Sequence, residues 1–250
     1  MNTRNQLLCA HCMIVFLVLI GLGFFVLAGW VPPPPPSLDA AQTAALFTNN
    51  PWMRIGMGII AFASPLYMGL AMAIAAQLQR IEGWPPVMSG LQLLMAAVGV
   101  VAFQFPALFW LGISYRAGLS PEIIQVINDI SWFIFIGAVG PFVLQPVIIG
   151  LCILSNEARE EVYPRWLGYV NLWLGFLFIP GALVMFFVTG PFAWNGLLSF
   201  WLALGVAPPV FILNYVYTVK AIRAQQASEQ NAFASGRGIP GNVRAQEARA

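Results

Sequence analysis

The segment Ser120–Ser155, SPEIIQVINDISWFIFIGAVGPFVLQPVIIGLCILS, decides the reading of this chain. It is a long apolar run with one acid near its start, Asp129. Two prolines, Pro141 and Pro146, lie deeper, with the amide Gln145 between them. A run of about 18 or more apolar residues is long enough to cross a bilayer as a helix. A charge beside hydrocarbon is costly, so Asp129 requires a partner or a function.

Five further runs of the same kind flank it. The six spans fall at about 13–30, 55–78, 87–113, 130–154, 166–188 and 196–219. Of the 250 residues, 60% are hydrophobic and only 8% charged, with a mean hydropathy of +0.80. Soluble domains are about a quarter charged, and so poor a supply cannot cover an aqueous surface. The expected fold is therefore an all-α bundle of six transmembrane helices, bent by several prolines, occupying residues 1–223. Arg4 precedes the first run, and prolines rather than a small-residue cleavage site follow it, so it is expected to be a retained span.

Charge sets the expected orientation. With the N-terminus inside, nine basic residues lie on the cytoplasmic side (Arg4, Arg80, Arg159, Arg165, Lys220, Arg223, Arg237, Arg244 and Arg249) and only Arg54 and Arg116 outside. That bias predicts both termini in the cytoplasm, in a cytoplasmic (inner) membrane of bacterial type. Trp30, Trp52, Trp110, Trp132 and Trp194 are expected at the outer interface, and Trp84 and Trp166 at the inner one. The net charge of +2 gives no support to a nucleic-acid partner.

Segment 31–54 is the one sizeable outer loop. Its five prolines, Pro32 to Pro36, form a polyproline rod of about 15 Å. Asp39 with Gln42 reads as a capping box that opens a short helix over 40–47. The inner loop NEAREEVYPR (156–165) reads as a solvated hinge in which Arg159 pairs with Glu157, Glu160 or Glu161. Residues 224–250, rich in Gln, Ala, Ser and Gly, read as a disordered cytoplasmic tail.

Candidate functional residues fall into three groups. Prolines interrupt every span after the first, and amides stand near some of them. Gln104, Gln145, Asn171, Pro208 and Asn214 are the candidate lining of a cavity, as broken helices mark solute sites in many carriers. An amide beside a proline also satisfies the carbonyl that the proline leaves free, so the same residues serve packing equally well. At the outer rim, Arg54, Arg116, Glu122 and Asp129 form a candidate ion-pair cluster. If the span crosses in about 20 residues and ends near Leu154, Asp129 sits at headgroup level beside Trp132.

The third group is Cys9, His11, Cys12 and Cys152, whose residue types suit zinc. Cysteines are also ordinary small apolar residues of spans, and no metal or other cofactor is expected. One histidine excludes bis-histidine haem and the His-rich zinc hydrolase motifs. No Gly-rich nucleotide loop and no carrier motif is present.

Three readings of function stay open. The first is a non-catalytic subunit or accessory protein of a membrane complex, contacting the lipid bilayer and another membrane protein or a second copy of itself, with faces such as Gly137-x-x-Gly140 for helix contacts. The second is a secondary carrier of a small apolar or weakly polar solute. The third is a membrane-embedded enzyme using Asp129 or the Cys/His group.

Overall fold

Helices satisfy their own backbone polar groups, so in lipid each apolar run folds as one. A computed structural model of the chain describes residues 2–116, 118–156 and 161–235. Six helical stretches within it are long and apolar enough to cross a membrane: Thr3–Leu27, Met53–Glu82, Val87–Tyr115, Pro121–Leu154, Arg165–Phe186 and Leu197–Ala234. The six expected spans are all present, and the molecule is an all-α six-helix bundle.

Only the third span is a single uninterrupted α-helix. The first is α1 (Thr3–Gly21), which continues as a π-helical turn over Leu22–Leu27. After the short helix α2 (Ala40–Thr48), the second span comprises α3 (Met53–Ala63), a 3-10 turn at Ser64–Leu66 and α4 (Tyr67–Glu82). The third, α5 (Val87–Tyr115), runs for 29 residues through Pro106, about 43 Å at 1.5 Å per residue. The fourth is α6 (Pro121–Gly137) followed by α7 (Gly140–Leu154). The fifth is α8 (Arg165–Phe176), ending in 3-10 helix over Ile179–Phe186. The sixth opens with a π turn at Leu197–Trp201 and continues as α9 (Leu202–Ala234) through Pro208 and Pro209.

Among the boundaries that differ from expectation, two bear on the site and the tail. The fourth span begins at Pro121 rather than near residue 130, because a proline in the first turn is already shaped for a helix and has no N–H to lose there. Asp129 therefore lies within α6, half-buried, instead of at its mouth. Helix α9 extends eleven residues into the segment read as disordered, ending at Ala234. Its sequence there, AQQASEQNAFA, is rich in good helix formers, and Gln225 anchors its first turn to α4. The rest of that segment, from residue 236, lies outside the described residues, as do Glu157, Arg159 and Glu160 of the inner loop.

Backbones meet closely at two glycine pairs. A Cβ on Gly23 would stand 2.8 Å from the Gly56 carbonyl oxygen, where span 1 crosses α3. A Cβ on Gly150 would stand 2.7 Å from the Gly168 oxygen, where α7 crosses α8. Such small-residue crossings are the usual way membrane helices gain dispersion contact without a hydrophobic driving force. Of the Gly137-x-x-Gly140 pair, Gly137 packs on Val184, whereas nothing lies within 4 Å of a Cβ on Gly140.

The loop after span 1 folds back on the bundle. The Asp39–Gln42 capping box forms as read, with Gln42 N donating to Asp39 Oδ1 at 2.8 Å and Asp39 N to Gln42 Oε1 at 3.0 Å. Helix α2 rests on α6, burying Thr43 and Phe47. Asn50 Nδ2 reaches the carbonyls of Leu27 and Ala28, closing the open end of the π turn.

At this end of the bundle the tryptophans form a core as well as a belt. Trp30, Trp110, Trp132 and Trp194 are all buried, and their rings pack with Phe24, Phe135 and Phe200. Their burial is lateral, inside the bundle, and leaves the depth expected of them as it was; Trp52, Trp84 and Trp166 are exposed. Indole N–H groups inside need acceptors. Trp110 Nε1 finds Asn128 Oδ1 at 3.1 Å and Trp194 Nε1 finds the Pro34 carbonyl at 2.8 Å. The polyproline segment is thus pinned to the loop between spans 5 and 6.

Candidate functional site

Tyr67, the first residue of α4 after the Ser64–Leu66 turn, carries the polar centre of the bundle. Its hydroxyl donates to Gln145 Oε1 on α7. Gln145 Nε2 donates to Gln92 Oε1 on α5 at 3.2 Å, and Gln92 Nε2 donates to the carbonyls of Ala71 and Ser89. All three side chains are buried. The series continues to the end of the bundle that bears the termini, where Ser89 Oγ and the Met88 and Ser89 amides donate to the Glu82 carboxylate. Glu82 so caps the first turn of α5, where a negative charge is favoured.

Beside this series, Asn171 on α8 and Asn214 on α9 exchange amide hydrogen bonds. Between the two groups lies a cavity of about 20 Å³. Its polar walls are Tyr67, Gln145 and Asn214, and its apolar ones include Phe142, Pro146, Phe178 and Phe211. It sits next to the discontinuities of spans 4 and 5, which pack on each other: a Cβ on Gly181 would lie 2.7 Å from Val139 and 3.0 Å from the Ile136 oxygen.

Two of the five candidate lining residues, Gln145 and Asn214, line this cavity. Asn171 stands behind Asn214 as its partner. Gln104 lies elsewhere and points its Nε2 at the Ala61 carbonyl at 3.5 Å. That carbonyl is four residues before Pro65 and has lost its helical donor, so the amide serves a proline on the neighbouring span. Pro208 is part of the continuous helix α9 and does not border the cavity. Tyr67 and Gln92 were missed. Both are polar residues inside apolar runs, and the rule that selected Gln145 would have selected Gln92.

A second polar knot ties α1, α4 and α9 at the terminal end. Gln77 Nε2 donates to Gln6 Oε1 at 2.6 Å and to Gln225 Oε1 at 2.9 Å, while Arg80 Nη1 donates to Gln77 Oε1. Nearby, the buried Tyr163 hydroxyl and Thr218 Oγ1 share a 3.0 Å bond. Burial holds the Tyr163 phenol well above its ordinary value, and the bond to Thr218 only partly offsets that.

The charged and sulfur groups are dispersed. Arg54 lies over the Tyr115 ring, 4.8 Å from its centroid. Arg116 follows α5 in an exposed position, Glu122 is exposed in the first turn of α6, and Asp129 is half-buried two turns on. No ion pair within 4.0 Å joins these four residues. Cys9 and Cys12 face Gly69 of α4, His11 Nδ1 meets Tyr215 Oη at 2.9 Å, and Cys152 is buried in the core. Among the described residues, no three His, Cys, Asp or Glu side chains gather as a metal-ligand set.

What fold and centre define together is a class: a multi-pass integral membrane protein whose apolar exterior, with Val26, Phe62, Leu94 and Trp173 exposed, is suited to lipid. Comparison with known proteins adds nothing narrower, as no family model, curated protein or solved structure matches the chain.

Proposed function

We propose that this protein is a non-catalytic subunit or accessory protein of a membrane complex, working through contact with another membrane protein. The observation behind this reading is how its interior polarity is used. Tyr67, Gln145 and Gln92 bond to one another, Asn171 and Asn214 bond to one another, and the cavity between them has room for about one water. A carrier or an enzyme directs such groups at a solute; here they hold helices together. The outside offers close approach, since Gly112 and Gly205 are exposed and a Cβ at either would meet no other described segment within 4 Å. The basic bias supports an orientation with both termini in the cytoplasm of a bacterial-type cell.

Purifying the tagged full chain in mild detergent tests the proposal. Stable co-purification with another integral membrane protein, or with a second copy of the chain, is expected. A clean monomer overturns it. Reporter fusions at residue 2 and after residue 190 test the orientation, with only the second expected to report the extracytoplasmic side.

One observation favours a second reading, a carrier of a small apolar or weakly polar solute. The breaks at 138–139 and 177–178 lie side by side next to the cavity, in the manner of the broken helices that border carrier sites. A carrier must open this site to each side in turn. Ile149→Cys, with the native cysteines replaced, would then react with a membrane-impermeant thiol reagent from either side; labelling from neither side rejects the reading.

A further inference from the structure

Pro146 lies inside α7, and its missing N–H deprives the Phe142 carbonyl of the donor that a regular helix supplies. Phe142, Gln145 and Pro146 all line the central cavity. Three polar groups around it keep capacity after their internal bonds are made. Gln145 Nε2 has two N–H groups and gives one to Gln92. Asn214 Oδ1 accepts one bond, from Asn171, and has a second lone pair. The Tyr67 hydroxyl uses its hydrogen on Gln145 and keeps its oxygen lone pairs. Eleven of the twelve lining residues are buried, so bulk water does not serve these groups.

Size then selects the occupant. One water needs roughly 10–15 Å³ and two to four polar partners. The cavity offers about 20 Å³. We infer that this is a binding site for a single structural water, which accepts from Gln145 Nε2 and donates to Asn214 Oδ1 and to the Phe142 carbonyl. That water joins two networks that otherwise do not touch. Tyr67, Gln92 and Gln145 tie α4, α5 and α7; Asn171 and Asn214 tie α8 and α9. Bridged, they form one hydrogen-bonded core through spans 2 to 6, fixed at the proline of α7.

The competing state is a dry cavity, which apolar walls favour. The two respond oppositely to filling. Val210→Ile adds one methylene at the cavity wall and leaves the Val210 carbonyl, which accepts from Asn214 Nδ2, in place. If water is bound, the methyl expels it, strands the second Gln145 N–H, and lowers the Tm by about 2–4 °C. If the cavity is dry, filling it leaves the Tm unchanged or raises it, and the proposal falls. Crowding is separated by repeating the substitution in a Gln145→Leu background, where no donor holds the water. There Val210→Ile is expected to be harmless, and an equal loss in both backgrounds overturns the proposal. Should Gln145→Leu not fold, an experimental map of the native protein that shows ordered waters decides: density within hydrogen-bond reach of Gln145 Nε2 supports the site, and a featureless cavity overturns it.

Discussion

Asn171 and Asn214 face each other across α8 and α9 and exchange two amide hydrogen bonds, Asn214 Nδ2 to Asn171 Oδ1 at 2.8 Å and Asn171 Nδ2 to Asn214 Oδ1 at 3.3 Å. Each Nδ2 also donates to a carbonyl one turn back in its own helix, Leu167 or Val210. The pair is the polar seam of two helices that otherwise meet through apolar surface.

Removing one member strands the other in an apolar interior. Asn171→Leu or Asn214→Leu alone is expected to cost about 1–3 kcal/mol, the penalty of an unpaired buried polar group. The double variant is expected to cost less than the sum, as both orphaned groups go together. Thermal unfolding of the three variants in one detergent, arranged as a double-mutant cycle, measures the coupling. Additive losses would mean that the two amides act independently.

The glycine crossing of α7 and α8 gives a steric prediction. Gly150→Ala places a methyl 2.7 Å from the Gly168 oxygen and also against Leu172, with backbone on one side and no flexible group able to yield fully. The helices must separate, at about 1–3 kcal/mol for overpacking. Gly140→Ala is the control: its added methyl meets nothing within 4 Å, and removing a glycine from the first turn of a helix is neutral to mildly stabilising. Equal melting temperatures for the two variants would refute the crossing.

The tryptophan core separates hydrogen bonding from packing. Trp110 and Trp132 are both buried and pack on each other at 5.2 Å, but Trp110 Nε1 donates to Asn128 whereas Trp132 Nε1 has no hydrogen-bond partner among the described residues. Trp110→Phe loses ring volume and strands the Asn128 carbonyl oxygen; Trp132→Phe loses ring volume alone. The first is expected to be the more destabilising by about 1–2 kcal/mol. Denaturation followed by the fluorescence of the remaining tryptophans tests this, and the reverse order would mean that the Trp132 indole N–H is engaged after all.

The class of this protein could be read from composition, because hydrophobic runs of membrane length have one stable backbone solution. The interior was less legible, for identifiable reasons. Proline content located some helix breaks and not others: Pro65 and Pro180 lie in the 3-10 stretches of spans 2 and 5 and Pro141 follows the break at Ala138–Val139, whereas Pro106, Pro146 and Pro208–Pro209 sit in continuous helices. A proline removes one donor, and whether the helix yields depends on who serves the free carbonyl. For Pro65 that group is Gln104, 43 residues from the Ala61 oxygen it approaches, a relation no local pattern carries. The burial of four tryptophans was illegible for the same reason. Each stands near the end of a span, as a belt residue would, and only the packing of four distant segments draws them inside.

Alkaline pH supplies the last prediction, through Tyr163. Its phenol lies outside the membrane-spanning segments, is buried, and shares a hydrogen bond with Thr218; burial holds its pKa above the ordinary value near 10. As pH rises past that value the unfolded chain releases the phenolic proton while the folded protein keeps it. The folded state then binds more protons than the unfolded one, so stability is full below pH ~10 and declines above it. Tyr163→Phe removes the titrating group but keeps the ring. The variant is expected to lose some stability at neutral pH, from the unpaired Thr218 hydroxyl, yet to show a shallower decline between pH ~9 and ~11. Melting temperatures across that range compare the slopes. Parallel curves for the variant and the native protein would show that Tyr163 releases its proton as readily folded as unfolded.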